Sequence, residues 1–206
     1  MLSSQVHLGF NWGQSFDRGH NWRDTVPDSA AARELAEALF QHNAVVDDKL
    51  CNPAISFLLA EMALRYQWNV RLDVSLLSIS SNRVLIRDVS GTTEYHAQRI
   101  IDARPAYPNG KVLTAVFQGE SDLPEQNGDG YTIRPGFWKD QYDLKLQLSA
   151  DCTWQDARKH VARVMADLKA KNIPLKLALI GTCFAENRFA NAIEEFNFGT
   201  RMGEEA

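Results

Sequence analysis

Residues 177–195 read LALIGTCFAENRFANAIEE, and the order of residue types in this stretch decides which fold the chain can adopt. The apolar run at 177–180 predicts a buried strand, Gly181 predicts the start of a small-residue loop, and the spacing after Ala190 predicts a closing helix. The first N–H groups of a helix lack partners within the helix and carry partial positive charge. This order therefore predicts a place where an electron-rich ligand can meet backbone N–H groups.

Further helices are predicted from apolar spacing and start signals, at 28–43, 52–68 and 153–172. Asp28 or Ser29 can cap the first of them. Asn52 is the expected cap of the second, where Pro53 occupies the first turn and its missing N–H costs nothing. Thr153 begins a variant of the capping box in the third.

Between these helices the apolar residues change to the spacing of strands. The strand-like segments 69–80, 82–91 and 93–103 are separated by the turn signals SSN and SGT, which predict an antiparallel meander. Its last run, RIIDA at 99–103, has an apolar centre at Ile100 and Ile101, and we expect it to be a strand buried on both faces. Further strands are expected at 111–120, 131–138 and 142–150, with a polar turn at 121–130. The fold class is therefore α/β, in one unit over residues 1–206.

Composition excludes several classes of protein. Apolar residues make up 45% of the chain and charged residues 23%, which predicts a folded chain with a sizeable core. The net charge is −4 and basic residues cluster only at 169–171, so nucleic acid is not an expected partner. No apolar run approaches the roughly 18 residues of a membrane span. The N-terminal residues lack the pattern of a signal peptide, so a cytoplasmic location is expected.

The cysteines point to free thiols and not to a metal site. Cys51, Cys152 and Cys183 are far apart in the sequence, and no CxxC pair exists. No histidine lies near enough to any of them to suggest zinc ligands. Unpaired thiols are typical of a reducing compartment.

The order of the segments resembles that of FAD-dependent oxidoreductases in the glutathione-reductase-like flavoprotein superfamily. The resemblance rests on Asn52-Pro53, the strand at 70–79, Ser90-Gly91, the segment 97–104 and the closing segment 177–206. It implies a partial FAD-binding three-layer core with an antiparallel meander, and a mixed β-sheet in the substrate region. Segments 28–104 and 172–206 would then lie on the cofactor side, and 105–171 on the substrate side.

The resemblance also implies which residues would contact FAD. Leu76 matches the strand position whose backbone meets the adenine edge, and Arg104 could face a phosphate. Gly181 and Thr182 match the pair that holds a ribityl hydroxyl. The helix start at Asn191, Ala192 and Ile193 would lie under the flavin pyrimidine carbonyl. No catalytic acid or base is identified.

Two departures leave the function open. The opening GxGxxG loop of the family is absent from this sequence, and Thr182 stands where the family has an aspartate. The chain could be an FAD-dependent oxidoreductase, or a piece of one, acting on a small organic substrate. It could instead be a flavin-less remnant or a subunit that binds a partner flavoprotein chain. The segment Gln118-Gly119-Glu120 also keeps a lycopene-cyclase-like isomerase or cyclase open.

Two further expectations concern what the chain binds. A core without the family's first strand would expose an apolar sheet edge, so a partner chain or a homo-oligomer is expected to cover it. The aromatic N-terminal loop, with Trp12 and Trp22, could line a cavity for a planar substrate. The alternative is that these tryptophans simply fill the core.

Overall fold

The computed structural model describes residues 1–3, 8, 10–13, 16, 18–102, 110–120, 122–185 and 189–204, without the side chains of Phe10, Asn11 and 182–185. Its helices are α1 (Phe10–Gly13), α2 (Ala30–Gln41), α3 (Asn52–Arg65), α4 (Trp154–Ala170) and α5 (Ala192–Glu204). Its strands are β1 (Val45–Val46), β2 (Lys49–Leu50), β3 (Ser75–Ile79), β4 (Arg83–Asp88), β5 (Gly91–His96), β6 (Lys111–Gln118), β7 (Gln126–Gly128), β8 (Tyr131–Pro135), β9 (Gln141–Leu148) and β10 (Lys176–Ala185).

The largest sheet has five strands in the order β10-β6-β9-β8-β7, and each neighbouring pair is antiparallel. Alternate residues of a strand point to opposite faces. Leu113, Ala115 and Phe117 of β6 therefore face one side, where they pack in a core with Val161 and Val164 of α4. The intervening residues of β6 face the other side, which α4 leaves uncovered.

A second core joins α2, α3 and α5 with the N-terminal loop. Trp12 and Trp22 are buried in it and meet edge to face, with ring centroids 5.8 Å apart. Both carboxyl oxygens of Asp48 accept hydrogen bonds from the loop backbone, one from Asn21 N at 2.9 Å and one from Trp22 N at 2.8 Å. The loop is thus held by buried aromatic area and by backbone hydrogen bonds together.

The predicted antiparallel meander is confirmed as a three-stranded sheet in the order β3-β4-β5. Val74, Val84 and Ile86 bury one of its faces. The predicted α/β fold class is confirmed as well, because helices and antiparallel sheets alternate through the described chain. The assignment of segments to a cofactor side and a substrate side stays a prediction.

Two of the predicted helix starts are confirmed. The Ser29 side chain accepts a hydrogen bond from Ala32 N at 3.1 Å, and Thr153 Oγ1 accepts one from Asp156 N at 3.1 Å. The expected cap of α3 is wrong. Cys51 is the N-cap without a side-chain hydrogen bond, and Asn52 is the first helical residue. The Asn52 amide is buried and donates to Trp12 O at 2.6 Å, because α1 packs against the start of α3.

The strand predicted at 99–103 is also wrong within the described residues. The last strand of the meander ends at His96, and residues 97–102 adopt no strand. Ile101 is 46% exposed. An apolar run forms a strand only where another strand pairs with it, and no described strand pairs with this one.

The largest sheet differs from expectation in two details. It is antiparallel in every described pairing and not mixed, because β10 returns beyond α4 to lie antiparallel to β6. Gly181 does not begin a loop, because β10 continues through it to Ala185. The polar turn predicted at 121–130 contains the short strand β7. Among the described strands, β10 forms one edge of the sheet.

Candidate functional site

A cleft of about 160 Å³ lies between the start of α3 and the face of the largest sheet that α4 leaves uncovered. It is lined by Phe16, Cys51, Asn52, Pro53, Val116, Phe137, Trp138, Gln141 and Leu179. The wall from 116–141 belongs to the predicted substrate-side segment. Leu179 of β10 lies beside Val116 on the same sheet wall, whereas the opposite wall comes from the start of α3 and from the N-terminal loop.

Three aromatic rings wall the cleft. Phe137 and Trp138 follow β8 and meet edge to face, with centroids 4.9 Å apart and planes at 87°. Trp138 lines the cleft and is 60% exposed, so more than half of its surface stays in contact with solvent. Phe16 reaches the cleft from the N-terminal loop. Rings of this kind pack well against a planar apolar ligand.

One polar side chain of the cleft has a fixed orientation. Gln141 Nε2 donates a hydrogen bond to Asp143 Oδ1 at 2.6 Å. The two residues lie two apart on β9 and so share a face of the sheet. Gly136 leaves the room that Gln141 occupies, since a Cβ at Gly136 would lie 2.7 Å from Gln141 Cγ. Asp143 itself is only 7% exposed.

Positive charge accompanies the buried carboxyl group of Asp143. Arg134 faces Asp143 in the register of β8 and β9, and its Nε donates to Glu125 Oε2 at 2.8 Å. Arg18 donates from Nη1 to Pro135 O at 2.7 Å. Burial lowers the pKa of Arg18 and the like charge of Arg134 lowers it further, whereas Asp143 and Glu125 act in the opposite direction. A buried carboxylate is tolerated where such charges and hydrogen bonds compensate for lost water.

Gly181 is required by close packing within the protein. A Cβ there would lie 2.6 Å from Thr114 Oγ1, 3.0 Å from Thr114 O and 3.0 Å from Phe16 Cδ2. The glycine therefore lets β10 approach β6 and the N-terminal loop. The space into which a Cβ of residue 181 would project is filled by protein. The predicted contact of Gly181 with a ribityl hydroxyl stays a prediction. The side chain of Thr182 lies outside the described residues.

Asn191 caps α5 and is fully buried. Its Oδ1 accepts hydrogen bonds from Ile193 N and Glu194 N, both at 3.1 Å. Its Nδ2 donates to His20 O at 3.0 Å and to Thr25 Oγ1 at 2.6 Å. Every hydrogen-bonding direction of this amide is thus used to join α5 to the N-terminal loop.

Some of the N–H groups at the start of α5 have hydrogen-bond partners within the chain. Asn191 Oδ1 accepts hydrogen bonds from the N–H groups of Ile193 and Glu194. Glu194 Oε2 accepts a further hydrogen bond from Ala190 N at 2.7 Å. Ala192 and Ile193 are buried against the second core. Of the three residues predicted to lie under the flavin, Ile193 has its N–H engaged within the chain. The role predicted for Asn191, Ala192 and Ile193 stays a prediction.

The remaining predicted contact residues are not brought to this place. Leu76 pairs with Ile86 in the meander and packs against its core. Because β3 is an edge strand of that sheet, one side of its backbone pairs with no other described strand. An open recess of about 280 Å³ lies nearby, beside the ion pair between Arg71 and Asp88. Arg104 lies outside the described residues.

The structure favours the alternative in which the two tryptophans of the N-terminal loop fill the core, and a substrate cavity at this loop stays a prediction. Trp12 and Trp22 fill the core, whereas Phe16 lines the cleft. Sequence reasoning missed Phe137, Trp138 and Gln141. The signal for them was an aromatic pair directly after Pro135 and Gly136, since a loop after a strand commonly carries binding residues.

The described side chains bring together no group of three or more histidine, cysteine, aspartate or glutamate residues that could hold a metal ion. In the part of the chain that the structure describes, no helix combines the length and apolar character that crossing a membrane takes.

No family model matches this chain, and no curated protein matches it. Among solved structures, it is similar to p-nitrophenol 4-monooxygenase PnpA from Pseudomonas putida DLL-E4, at 10% sequence identity and a TM-score of 0.42. The match covers 72% of this chain and 45% of that one, so this chain spans less than half of that protein's length. A likeness at this level supports no inference about the function of this chain.

Proposed function

We propose that this chain binds a small planar organic molecule in the aromatic cleft, as the substrate-binding part of a flavin-dependent oxidoreductase. The observation that carries the proposal is the cleft itself, with Phe16, Phe137 and Trp138 around it. The resemblance to FAD-dependent oxidoreductases supplies the reaction class, and the cleft supplies a place for the substrate where the predicted cofactor-side and substrate-side segments meet.

The size of the cleft limits the ligand. An apolar cavity of about 150 Å³ holds one benzene ring. The cleft measures about 160 Å³, so it accommodates one ring with small substituents. The three fused rings of a flavin are too large for it. The cleft therefore suits a substrate, and a flavin would have to lie outside it.

A second candidate function is ligand binding without flavin, on a scaffold that resembles a flavoprotein. The observation that favours it is the start of α5, where the Asn191 side chain accepts a hydrogen bond from Ile193 N, one of the N–H groups at the helix start that the resemblance assigns to the flavin. On this reading the cleft binds the same class of ligand, and the chain contributes no redox chemistry of its own.

The experiment has a ligand arm and a flavin arm. Protein-observed NMR with 4-methylphenol should give a dissociation constant on the order of 1 mM, because a ligand with eight heavy atoms reaches only modest affinity. For the flavin arm, the protein is incubated with FAD and passed through gel filtration, and its visible absorption is recorded. Retained flavin absorption supports the oxidoreductase, whereas ring binding without flavin uptake supports the second candidate.

Matched variants make the ligand arm specific to the cleft. Val116→Phe fills the cleft from its sheet wall and should weaken binding at least tenfold. Val89→Phe makes the same change at a side chain that is 98% exposed, and it should leave binding unchanged. Absence of ring binding in the unmodified protein, or equal binding by both variants, would contradict the proposal.

A further inference from the structure

Within the proposed ligand cleft, we infer that Gln141 determines specificity and that Asp143 is its positioning residue, so that the cleft selects a single ring bearing a hydrogen-bond donor. This inference rests on the proposed function. The donor would be a neutral hydroxyl or amino group on the ring. The observation behind this inference is that the Gln141 amide lines the cleft and donates a hydrogen bond to the buried carboxyl group of Asp143.

The orientation of the Gln141 amide follows from the chemistry of its partner. A carboxylate accepts hydrogen bonds and donates none, so it binds the NH₂ end of an amide and not the oxygen. The 2.6 Å contact between Gln141 Nε2 and Asp143 Oδ1 therefore fixes which end of the amide faces Asp143. The oxygen, Oε1, is directed to the opposite side of the planar group.

The amide oxygen is available to a ligand. Among the described residues, no group donates a hydrogen bond to Gln141 Oε1, and this atom is not enclosed. The Gln141 side chain packs directly on Gly136, since a Cβ added at Gly136 would lie 2.7 Å from Gln141 Cγ. This packing and the hydrogen bond to Asp143 together restrict the movement of the side chain. Because Gln141 lines the cleft, we infer that this oxygen is the acceptor that a ligand meets there.

An oriented acceptor discriminates between ligands. A ring with a hydroxyl or amino group donates to Oε1, whereas a ring that carries only an acceptor leaves Oε1 without a partner and brings two oxygen atoms together. A hydrogen bond between neutral groups at a partly exposed site changes affinity by about tenfold. Asn52 also lines the cleft, and its Nδ2 donates a hydrogen bond to Trp12 O.

The arrangement predicts what happens when Asp143 no longer directs the amide. In Asp143→Asn the new side chain can either donate or accept, so Gln141 can turn and present its NH₂ group to the cleft. The loss of selectivity then comes with tighter binding of acceptor-only ligands. A role in stability alone would weaken both classes of ligand equally, which distinguishes the two explanations.

The test uses two isomers of equal composition, 4-methylphenol and methoxybenzene. The first donates a hydrogen bond and, like the tyrosine side chain, is neutral at pH 7, and the second only accepts. Dissociation constants are measured by protein-observed NMR for the unmodified protein, Gln141→Leu and Asp143→Asn. The unmodified protein should favour 4-methylphenol about tenfold. Gln141→Leu should bring the ratio close to one, and Asp143→Asn should lower it by improving the binding of methoxybenzene.

The outcomes separate this inference from the proposed function. Equal binding of the two isomers by the unmodified protein overturns the role of Gln141 and leaves the ligand cleft in place. Binding of neither isomer overturns the proposed function and the inference with it. An unchanged preference in Gln141→Leu also overturns the inference. Should Asp143→Asn fail to fold, as seen in its urea transition, Gln141→Leu alone decides, because its side chain is only partly buried.

Discussion

Replacing Gly181 by alanine tests whether this glycine serves packing within the protein. The added Cβ would lie 2.6 Å from Thr114 Oγ1 and 3.0 Å from both Thr114 O and Phe16 Cδ2. Real Cβ contacts are essentially never shorter than 3.0 Å, so β10 or its neighbours must shift. Overpacking of this kind typically costs about 1–3 kcal/mol. Because two of the contacts involve backbone or a neighbouring ring, we expect Gly181→Ala to destabilise the protein by about 2 kcal/mol.

The assay is urea unfolding of four proteins: the unmodified chain, Gly181→Ala, Thr114→Ala and the double variant. The Thr114 hydroxyl is buried and has no hydrogen-bond partner among the described residues, so removing it relieves the closest clash. Thr114→Ala alone should change the free energy of unfolding by less than about 1 kcal/mol, because the lost methyl contact and the removed unsatisfied hydroxyl offset each other. In the Thr114→Ala background, the cost of Gly181→Ala should fall by at least about 0.5 kcal/mol.

The double-mutant cycle can refute this reasoning in two ways. A cost below about 0.5 kcal/mol for Gly181→Ala would show that the site has room, as a cofactor-facing glycine would. Equal costs in the two backgrounds would show that Thr114 is not the group that the added Cβ meets. Either result would reopen the space beside Gly181 as a ligand site.

The remaining predictions are also measured by urea unfolding. Gly199→Ala in α5 should stabilise the protein by about 0.5–1 kcal/mol, because alanine favours the helix and, among the described residues, no atom outside the helix backbone and the adjoining residues lies within 4 Å of the added Cβ. Thr153→Ala should cost about 1 kcal/mol through the lost cap of α4. Asn191→Ala should cost about 2–3 kcal/mol, because it removes a cap and leaves buried backbone groups unpaired. Stability should fall as the pH drops below about 4, since the hydrogen bond from Lys171 lowers the pKa of Asp167 in the folded state and this stabilisation is lost on protonation.

Each of these predictions has its own control. Gly199→Ala serves as the matched glycine substitution for Gly181→Ala, and the two should differ in sign. Thr153→Ser should retain the cap. Asn191→Asp should recover part of the stability lost in Asn191→Ala, because the carboxylate still accepts from the helix N–H groups. Asp167→Asn should flatten the stability profile below about pH 4, and an unchanged profile would contradict the assignment of that loss to Asp167.

The elements that the sequence predicts well are those with local signals. The cap at Ser29 and the apolar spacing of α2 lie within one segment, and so do Thr153 and the apolar face of α4. The meander is likewise fixed by short turns and alternating residues. Such signals involve residues that are close in the sequence, so they do not depend on how distant segments of the chain pack.

The errors concern features that depend on distant partners. The apolar run before residue 103 has the composition of a strand, but a strand also needs another to pair with. Gly181 has the character of a loop residue, yet pairing with β6 carries β10 past it. The cap of α3 failed for the same reason, since the Asn52 amide is taken by Trp12, forty positions earlier.

The candidate cleft could be predicted only in part. Gln141 and Asp143 are two residues apart in a strand, so the sequence predicts that they share a face. The sequence does not show that this face of β9 lies opposite the start of α3, or that Phe16 lines the cleft between them. Both features depend on how segments distant in the sequence pack together. The polar face of β9 with aromatic residues just before it is the local part of the signal.

Locating a bound ring on the protein tests directly whether a single planar ring binds in the cleft. Nuclear Overhauser contacts between the ring protons of 4-methylphenol and the protein are measured on the unmodified chain. We expect contacts to the Val116 methyl groups and to the rings of Phe137 and Trp138, which line the cleft. Contacts only to exposed apolar side chains elsewhere, such as Phe57 and Leu64 on α3, would contradict it.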